Sequence, residues 1–514
     1  MTSYQQDDTI LANILVTGGQ CAVARGIAGR TSLQAACRIR CRVSPDYVIF
    51  RRPGLFVCPG CKGDFMHSEI FSKMPPTRLF FHCALPAMAT SLAGGLYAIV
   101  DGIFVGRYLG AEALAAVNIV MPQIMIVESL ANMVAVGTSV HIATMLGKEN
   151  RQEASRAFSF SVKFILLFST MTAIIGFNYA ETVAAWLAPG ADEETLRLAV
   201  DYLKIYALFG PLIPIFFATD NYLRDCGRPK LSMGINILTQ VLNMALDFLF
   251  LALLGWGIEG AALASCISIA LGSIITLALF CGHRLDVYYT WENIPLAQFL
   301  RVLTNGSSEF LTSIASAIMG LIMNIFLLKY GGTSAVAAFA IVMYVDSIIG
   351  MLNFGLCESL QPALSYCYGA GRKERLQAIF RRILLASIVM AVAAFLFMEF
   401  AGSYMAGVFI QAEDPNLVKV SREAMAIFAF SYLAGWIDLC FSAYFTALDM
   451  PARSLLVSFL GTFVLPVVLL LVLTPVFGLT GIWLMAPIAS ALSGVATLLL
   501  YKSSRLAFDE PARI

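Results

Sequence analysis

The 514-residue chain is 59% hydrophobic and only 13% charged, with 34 Lys and Arg against 33 Asp and Glu. Soluble domains carry about 25% charged residues, so water is not the main solvent of this protein. A net charge of +1 with no basic patch interleaved by aromatics argues against nucleic acid as a partner.

Residues 1–65 are rich in Arg and hold five of the twelve cysteines, Cys21, Cys37, Cys41, Cys58 and Cys61. The spacings Cys37-x3-Cys41 and Cys58-x2-Cys61 are ones that zinc sites use. The segment nevertheless lacks an apolar run of spanning length and the pattern of a signal peptide. We expect it to be a disordered extension or an over-extended start, and no structural metal is expected elsewhere. A chain beginning at Met66 should therefore express and function as the full chain does. Loss of expression or activity on that truncation would refute the expectation, and tightly bound zinc in the full chain would favour the metal reading.

From about Leu79 onward, apolar runs long enough to cross a bilayer recur between polar or Gly/Pro breaks. The pattern predicts an all-α membrane protein with twelve transmembrane helices. The first six cover 79–105, 112–146, 157–180, 196–220, 231–254 and 258–281; the second six cover 301–328, 334–368, 377–403, 418–445, 454–474 and 480–501. Helices 2 and 8 exceed a perpendicular span, so tilt or projection beyond the bilayer is expected. Loops after even-numbered helices, with the tail, hold seventeen Lys and Arg, among them Lys148, Arg228, Arg284, Arg372 and Lys502. The opposite loops hold five (Arg107, Arg197, Lys329, Lys419 and Arg422) beside acidic stretches such as Asp192-Glu193-Glu194. The positive-inside rule then predicts a multi-pass protein of the plasma membrane with both ends of the helical bundle in the cytoplasm.

A shift of 222 residues places Tyr108, Gly110, Ala113, Ala115, Ala116, Ile119, Val120 and Met121 on identical residues at 330–343, eight identities in fourteen positions. Without a gap it also sets Gly147 on Gly369, Phe158 on Phe380, Tyr222 on Tyr444, Pro229 on Pro451 and Ser232 on Ser454. Apolar composition would match Leu with Leu, but it would not keep Gly and Pro in register over a hundred residues. The chain is therefore expected to form two six-helix lobes, 66–290 and 291–514, related by an internal repeat. Parallel repeats are a transporter architecture with substrate held between the halves, although a duplicated scaffold without transport would share it.

An ionisable group at the bilayer centre costs about 2.5–3.5 kcal/mol on insertion scales, so each one needs a reason to be there. Asp101 lies late in helix 1; Asn243 and Asp247 lie four apart on one face of helix 5; Ser265 follows early in helix 6. Two carboxylates, an amide oxygen and a hydroxyl suit a hard cation or a shared proton. Taken singly, each acid has a structural alternative, a helix cap or an ion pair such as Asp101 with Arg107. The repeat argues against that, since the positions 222 further on are Met323, Leu465 and Leu469, whereas a scaffold residue should tend to occur in both copies. Glu309, Asp346, Glu358, Glu399 and Asp438 are the acids of the second half. Tyr97, Glu358, Gln361 and Asp438 are the candidates to line a substrate cavity, weighed evenly against helix-end or interface roles.

Three motifs in this order within the repeat resemble those of the multidrug and toxic compound extrusion (MATE) family, in particular its bacterial MepA-like branch. They are Val100-Asp-Gly-Ile-Phe-Val-Gly-Arg107, Arg224-Asp-Cys-Gly-Arg-Pro229 and Glu358-Ser-Leu-Gln-Pro-Ala-Leu-Ser-Tyr-Cys-Tyr-Gly-Ala370. The resemblance, from about Met66 to Lys502, implies export of amphipathic organic cations or drugs in exchange for Na+ or H+ by alternating access. It also implies a cation-coupling site at Asp101, Asn243, Asp247 and Ser265, where Ser265 replaces the usual Thr, and a helix-1 hinge at Pro86. Coupling through the second lobe is not implied, because Glu309 lies early in helix 7. A monomer in contact with membrane lipid and without a cofactor is expected. The alternative is a lipid-linked oligosaccharide flippase of the same superfamily, which would be expected to have an Arg- and Lys-rich cavity; intramembrane cations are scarce here. An enzyme is not expected, since His67, His82, His141 and His283 are dispersed without ligand spacing, and no Walker-type phosphate loop is present.

Overall fold

The computed structural model describes residues 67–409 and 415–509. The expectations for residues 1–65, zinc included, lie outside the described residues. Nine described helices are long and apolar enough to cross a membrane, and two further pairs qualify if each bent pair is one span. One of the nine is a trace over Leu296–Gly369 that passes through non-helical backbone at Gly332. Dividing it there and counting the bent pairs yields twelve spans, in agreement with the sequence.

These spans are α1 (Pro76–Tyr108), α2 (Ala111–Gly147), α3 (Arg151–Asn178), α4 (Glu193–Phe209 with Ile213–Asp225), α5 (Pro229–Leu253) and α6 (Ile258–Cys281). The second six are α7 (296–331), α8 (333–358, continued by Gln361–Gly369), α9 (Lys373–Phe409), α10 (Pro415–Ala429 with Tyr432–Ala447), α11 (Pro451–Phe477) and α12 (Leu479–Asp509). Polar residues set the starts. Asn150 accepts the Glu153 N–H at 3.1 Å ahead of α3, and Asp192 accepts both the N–H and the hydroxyl of Thr195 at 2.9 Å ahead of α4. The bonds from Thr195 hold the Asp192 carboxyl below its ordinary pKa range. Helix α7 begins five residues before the position expected from sequence, which places Glu309 thirteen residues, or about 20 Å, beyond its start rather than near it.

The residues kept in register by the repeat make equivalent contacts in each half. Phe158 meets Tyr222 edge-on at 5.6 Å, and Phe380 meets Tyr444 at 4.3 Å. Ser232 donates to Asp220 at 2.5 Å, while Ser454 bonds Ser442, the repeat equivalent of Asp220, at 3.0 Å. Gly110 and Gly332 turn the chain between the first two helices of each half at φ of 88° and 66°, a region that a side chain disfavours.

The apolar cores show how the halves meet. One cluster joins both halves, including Ile142, Leu146, Phe158 and Tyr222 with Cys367, Phe380, Phe441 and Phe445. It lies at the end that carries the loops after even-numbered helices. At the other end each half has its own core, around Val120 and Tyr202 in the first and around Val342 and Trp483 in the second. The halves therefore join at one end and separate toward the other. Their seam runs where α1 meets α8 and α2 meets α7: Gly355 lies against Ala87 and Ser91, and Gly137 against Val302.

Candidate functional site

α1, α5 and α6 bring four polar groups together inside the first half. Asn243 and Asp247 share a face of α5 and are 2% and 0% exposed, and Ser265 faces them from α6. With its amide oriented to satisfy both ends, Asn243 donates to Asp247 Oδ2 at 2.9 Å and accepts from the Ser265 hydroxyl at 3.1 Å and from the Ser265 N–H at 3.0 Å. The Asp101 and Asp247 carboxyl groups lie within hydrogen-bonding reach of each other, and among the described residues no basic side chain contributes to the surroundings of either. Asp247 Oδ1 is buried and has no partner among the described residues. Two carboxylates this close in a dry interior repel unless they share a proton or hold a cation between them. The orphaned oxygen and the all-oxygen donor set fit either.

The local backbone matches this placement. Asp247 closes the regular part of α5, and Phe248–Leu253 continues as a wider π-helical turn, a feature that often accompanies functional sites.

Two tyrosines complete the cluster. Tyr97, which the sequence grouped with the substrate cavity, brings its hydroxyl to 3.4 Å from Ser265 Oγ. Tyr202 of α4 is 5% exposed and lies in the electrostatic surroundings of Asp101, Tyr97 and Asp247. Sequence reasoning missed Tyr202, because one tyrosine among 18 carries no spacing signal.

The remaining candidates lie elsewhere. Pro86 is inside α1, which stays helical through it, and the Pro86 carbonyl accepts from Thr90 Oγ1 at 2.9 Å. Glu358 ends α8 within electrostatic reach of Glu309 on α7 and Arg224 on α4, and Gln361 is buried just beyond it. Asp438 on α10 accepts from Thr497 of α12 at 2.7 Å, and Gly461 of α11 approaches so closely that a Cβ there would stand 2.6 Å from the carboxylate. Asp438 thus sits within the second half, away from the Asp101 cluster.

The MatE family model matches the chain twice, over residues 86–249 and 310–472, once in each half. Multidrug export protein MepA of Staphylococcus aureus (strain MSSA476) is 27% identical over 437 residues, covering 84% of this chain and 94% of that protein. The MepA of Staphylococcus saprophyticus is 25% identical over 439 residues, covering 85% and 94%. Among solved structures, the outward-facing conformation of a multidrug resistance MATE family transporter of the MOP superfamily aligns with a TM-score of 0.81 at 21% identity, covering 88% of this chain and all of that one. A MOP superfamily transporter from Pyrococcus furiosus Vc1 aligns with the same TM-score, identity and coverage. At that identity the two structures establish a common fold.

Proposed function

This chain belongs to the MatE family, and on that premise we propose that it is a secondary active multidrug efflux transporter, which exchanges amphipathic organic cations for Na+ or H+ by alternating access. The observation that carries the reading is the pairing of Asp101 with Asp247 inside one half, where no basic side chain among the described residues neutralises them. Such a pair binds a cation or proton in one arrangement of the helices and releases it when they rearrange. An ion that binds two states unequally shifts their populations, and one that binds them equally shifts nothing.

Lys and Arg asymmetry supports a cytoplasmic location for the end where the halves share a core. On that orientation the separated end faces outward in the plasma membrane, and the described arrangement is the drug-releasing one. Glu358 and Gln361, near the seam, would meet substrate in the opposite state, and Asp438 would attract cationic substrate into the second half. A monomer surrounded by lipid suffices for this cycle.

The test is efflux of a fluorescent organic cation from vesicles containing the full chain, under a Na+ gradient alone and an H+ gradient alone. Export driven by at least one gradient is expected, and abolished by the matching ionophore. Equal rates with no gradient would refute secondary active transport.

A further inference from the structure

The break in α4 borders a small cavity, largely apolar in its lining but holding several polar groups, distinct from the Asp101 cluster. The two parts of the helix, Glu193–Phe209 and Ile213–Asp225, meet at 49°. Pro214 has no N–H to offer the Gly210 carbonyl four residues earlier, so the break leaves a backbone oxygen without its helical donor. Beside it, between α2, α3 and α4, lies a cavity of about 40 Å3 lined by Gln123, Glu128, Ser169, Thr172, Tyr206 and Gly210, with no basic side chain among its walls. One Glu128 carboxylate oxygen accepts from the Tyr206 hydroxyl at 2.6 Å. Ser169 is 1% exposed, and its hydroxyl, like the Gln123 side-chain oxygen, has no hydrogen-bond partner among the described residues. Unsatisfied buried oxygens of this kind call for a partner in the cavity, a water or an ion.

A bent helix with a tyrosine bonded to a carboxylate also occurs in the second half. α10 bends by 52° between Ala429 and Tyr432, and Tyr432 donates to Asp346 of α8 at 2.8 Å. The repeat equivalents of Glu128 and Tyr206 are Gly350 and Phe428. Each member of the second pair is therefore one turn away from its equivalent, and the contact has been rebuilt rather than copied. Broken helices at corresponding positions of two repeats point to ion sites, because unwound carbonyls and side-chain oxygens there replace water around a cation.

We propose that the cavity at Gln123, Glu128, Ser169 and Gly210 is a second monovalent-cation site, of Na+ size. The donors are oxygens, as a hard cation requires. A single carboxylate balances one positive charge, whereas a divalent ion would leave an excess in low dielectric. A proton on Glu128 would satisfy one acceptor and leave the Gln123 oxygen unmet, whereas a cation can take both as ligands. The volume holds a dehydrated ion with a water or two, and excludes a drug. The site is one helical turn from the Asp101 cluster, since Tyr206 stacks on Tyr202 at 6.5 Å.

The experiment is equilibrium binding of radioactive Na+ to the purified full chain in lipid nanodiscs, comparing wild type, Glu128→Gln, Asp247→Asn and the double variant. Na+ that survives Asp247→Asn and is lost with Glu128→Gln is the expected result, whichever ion occupies the Asp101 cluster. The Asp247→Asn arm thus separates failure of this proposal from failure of the coupling site. Ser169→Ala, which keeps the Glu128–Tyr206 bond, is expected to weaken the remaining Na+ site roughly tenfold by removing one neutral ligand. Its affinity decides the matter if Glu128→Gln does not fold. Bound Na+ unchanged by Glu128→Gln and Ser169→Ala, or wholly lost with Asp247→Asn alone, would overturn the proposal.

Discussion

Asp247→Asn and Asp101→Asn are each expected to abolish gradient-driven export while the protein remains folded in the membrane. Asparagine keeps the shape of either side chain, and at position 247 it can still accept the hydrogen bond from Asn243, so packing in α5 survives. What disappears is one of the two carboxylates between which the ion or proton is held, so the remaining one has no partner with which to share it. Burying a neutral amide also costs less than burying a charge, which argues against a folding defect. Because coupling depends on the difference in ion affinity between two states, the loss should be on the order of 100-fold or more in uphill transport. Ser265→Ala should be milder, roughly tenfold, since it removes one neutral ligand and leaves Asn243 the Ser265 N–H. The measurement is fluorescent-cation efflux under an imposed ion gradient, with protein quantity and thermal stability checked in detergent. Uphill export at wild-type rates in both aspartate variants would remove the cluster from the mechanism.

The sequence disclosed those features that rest on periodicity or on residue types with few uses. Twelve apolar runs and a 222-residue repeat are visible because lipid demands length and because Gly and Pro are kept only where backbone requires them. Asp101, Asn243 and Asp247 are visible because a carboxylate in an apolar helix is rare. Other features depend on three-dimensional neighbours. Helix α10 bends by 52° with no proline between Ala429 and Tyr432, so no residue type announces it. Tyr97 joins the cation cluster only because α1 meets α6, and Tyr202 only because α4 packs along α6, and tyrosine serves equally as a lipid-interface or cavity residue. Glu128 is a different case. It stands in the middle of α2, directly after a run from Met121 to Val127 that is apolar apart from Gln123, and a count of intramembrane acids in the first half would have found it.

The second large effect is expected at Gly147 and Gly369, which the repeat places on each other. A Cβ on Gly147 would stand 2.1 Å from the Tyr366 carbonyl oxygen, and one on Gly369 would stand 2.1 Å from that of Thr144. Thr144 and Tyr366 are themselves 222 residues apart, so the two contacts are images of each other and mark the axis between the halves. Backbone meets backbone here, and no flexible side chain can yield. Gly147→Ala or Gly369→Ala must therefore push the halves apart at the end where they share a core. Overpacking of this kind costs about 1–3 kcal/mol, which lowers the population of the arrangement described here roughly 5- to 150-fold relative to one opened at that end. Spin-label distances across the seam, measured between labels on α2 and on the Gln361–Gly369 segment, should lengthen in both variants, and export should slow accordingly. Gly320→Ala in α7, where a Cβ meets nothing within 4 Å, is the control and should leave distances and transport unchanged. Wild-type distances and rates in Gly147→Ala and Gly369→Ala would mean that the halves do not need this close approach at any point in the cycle.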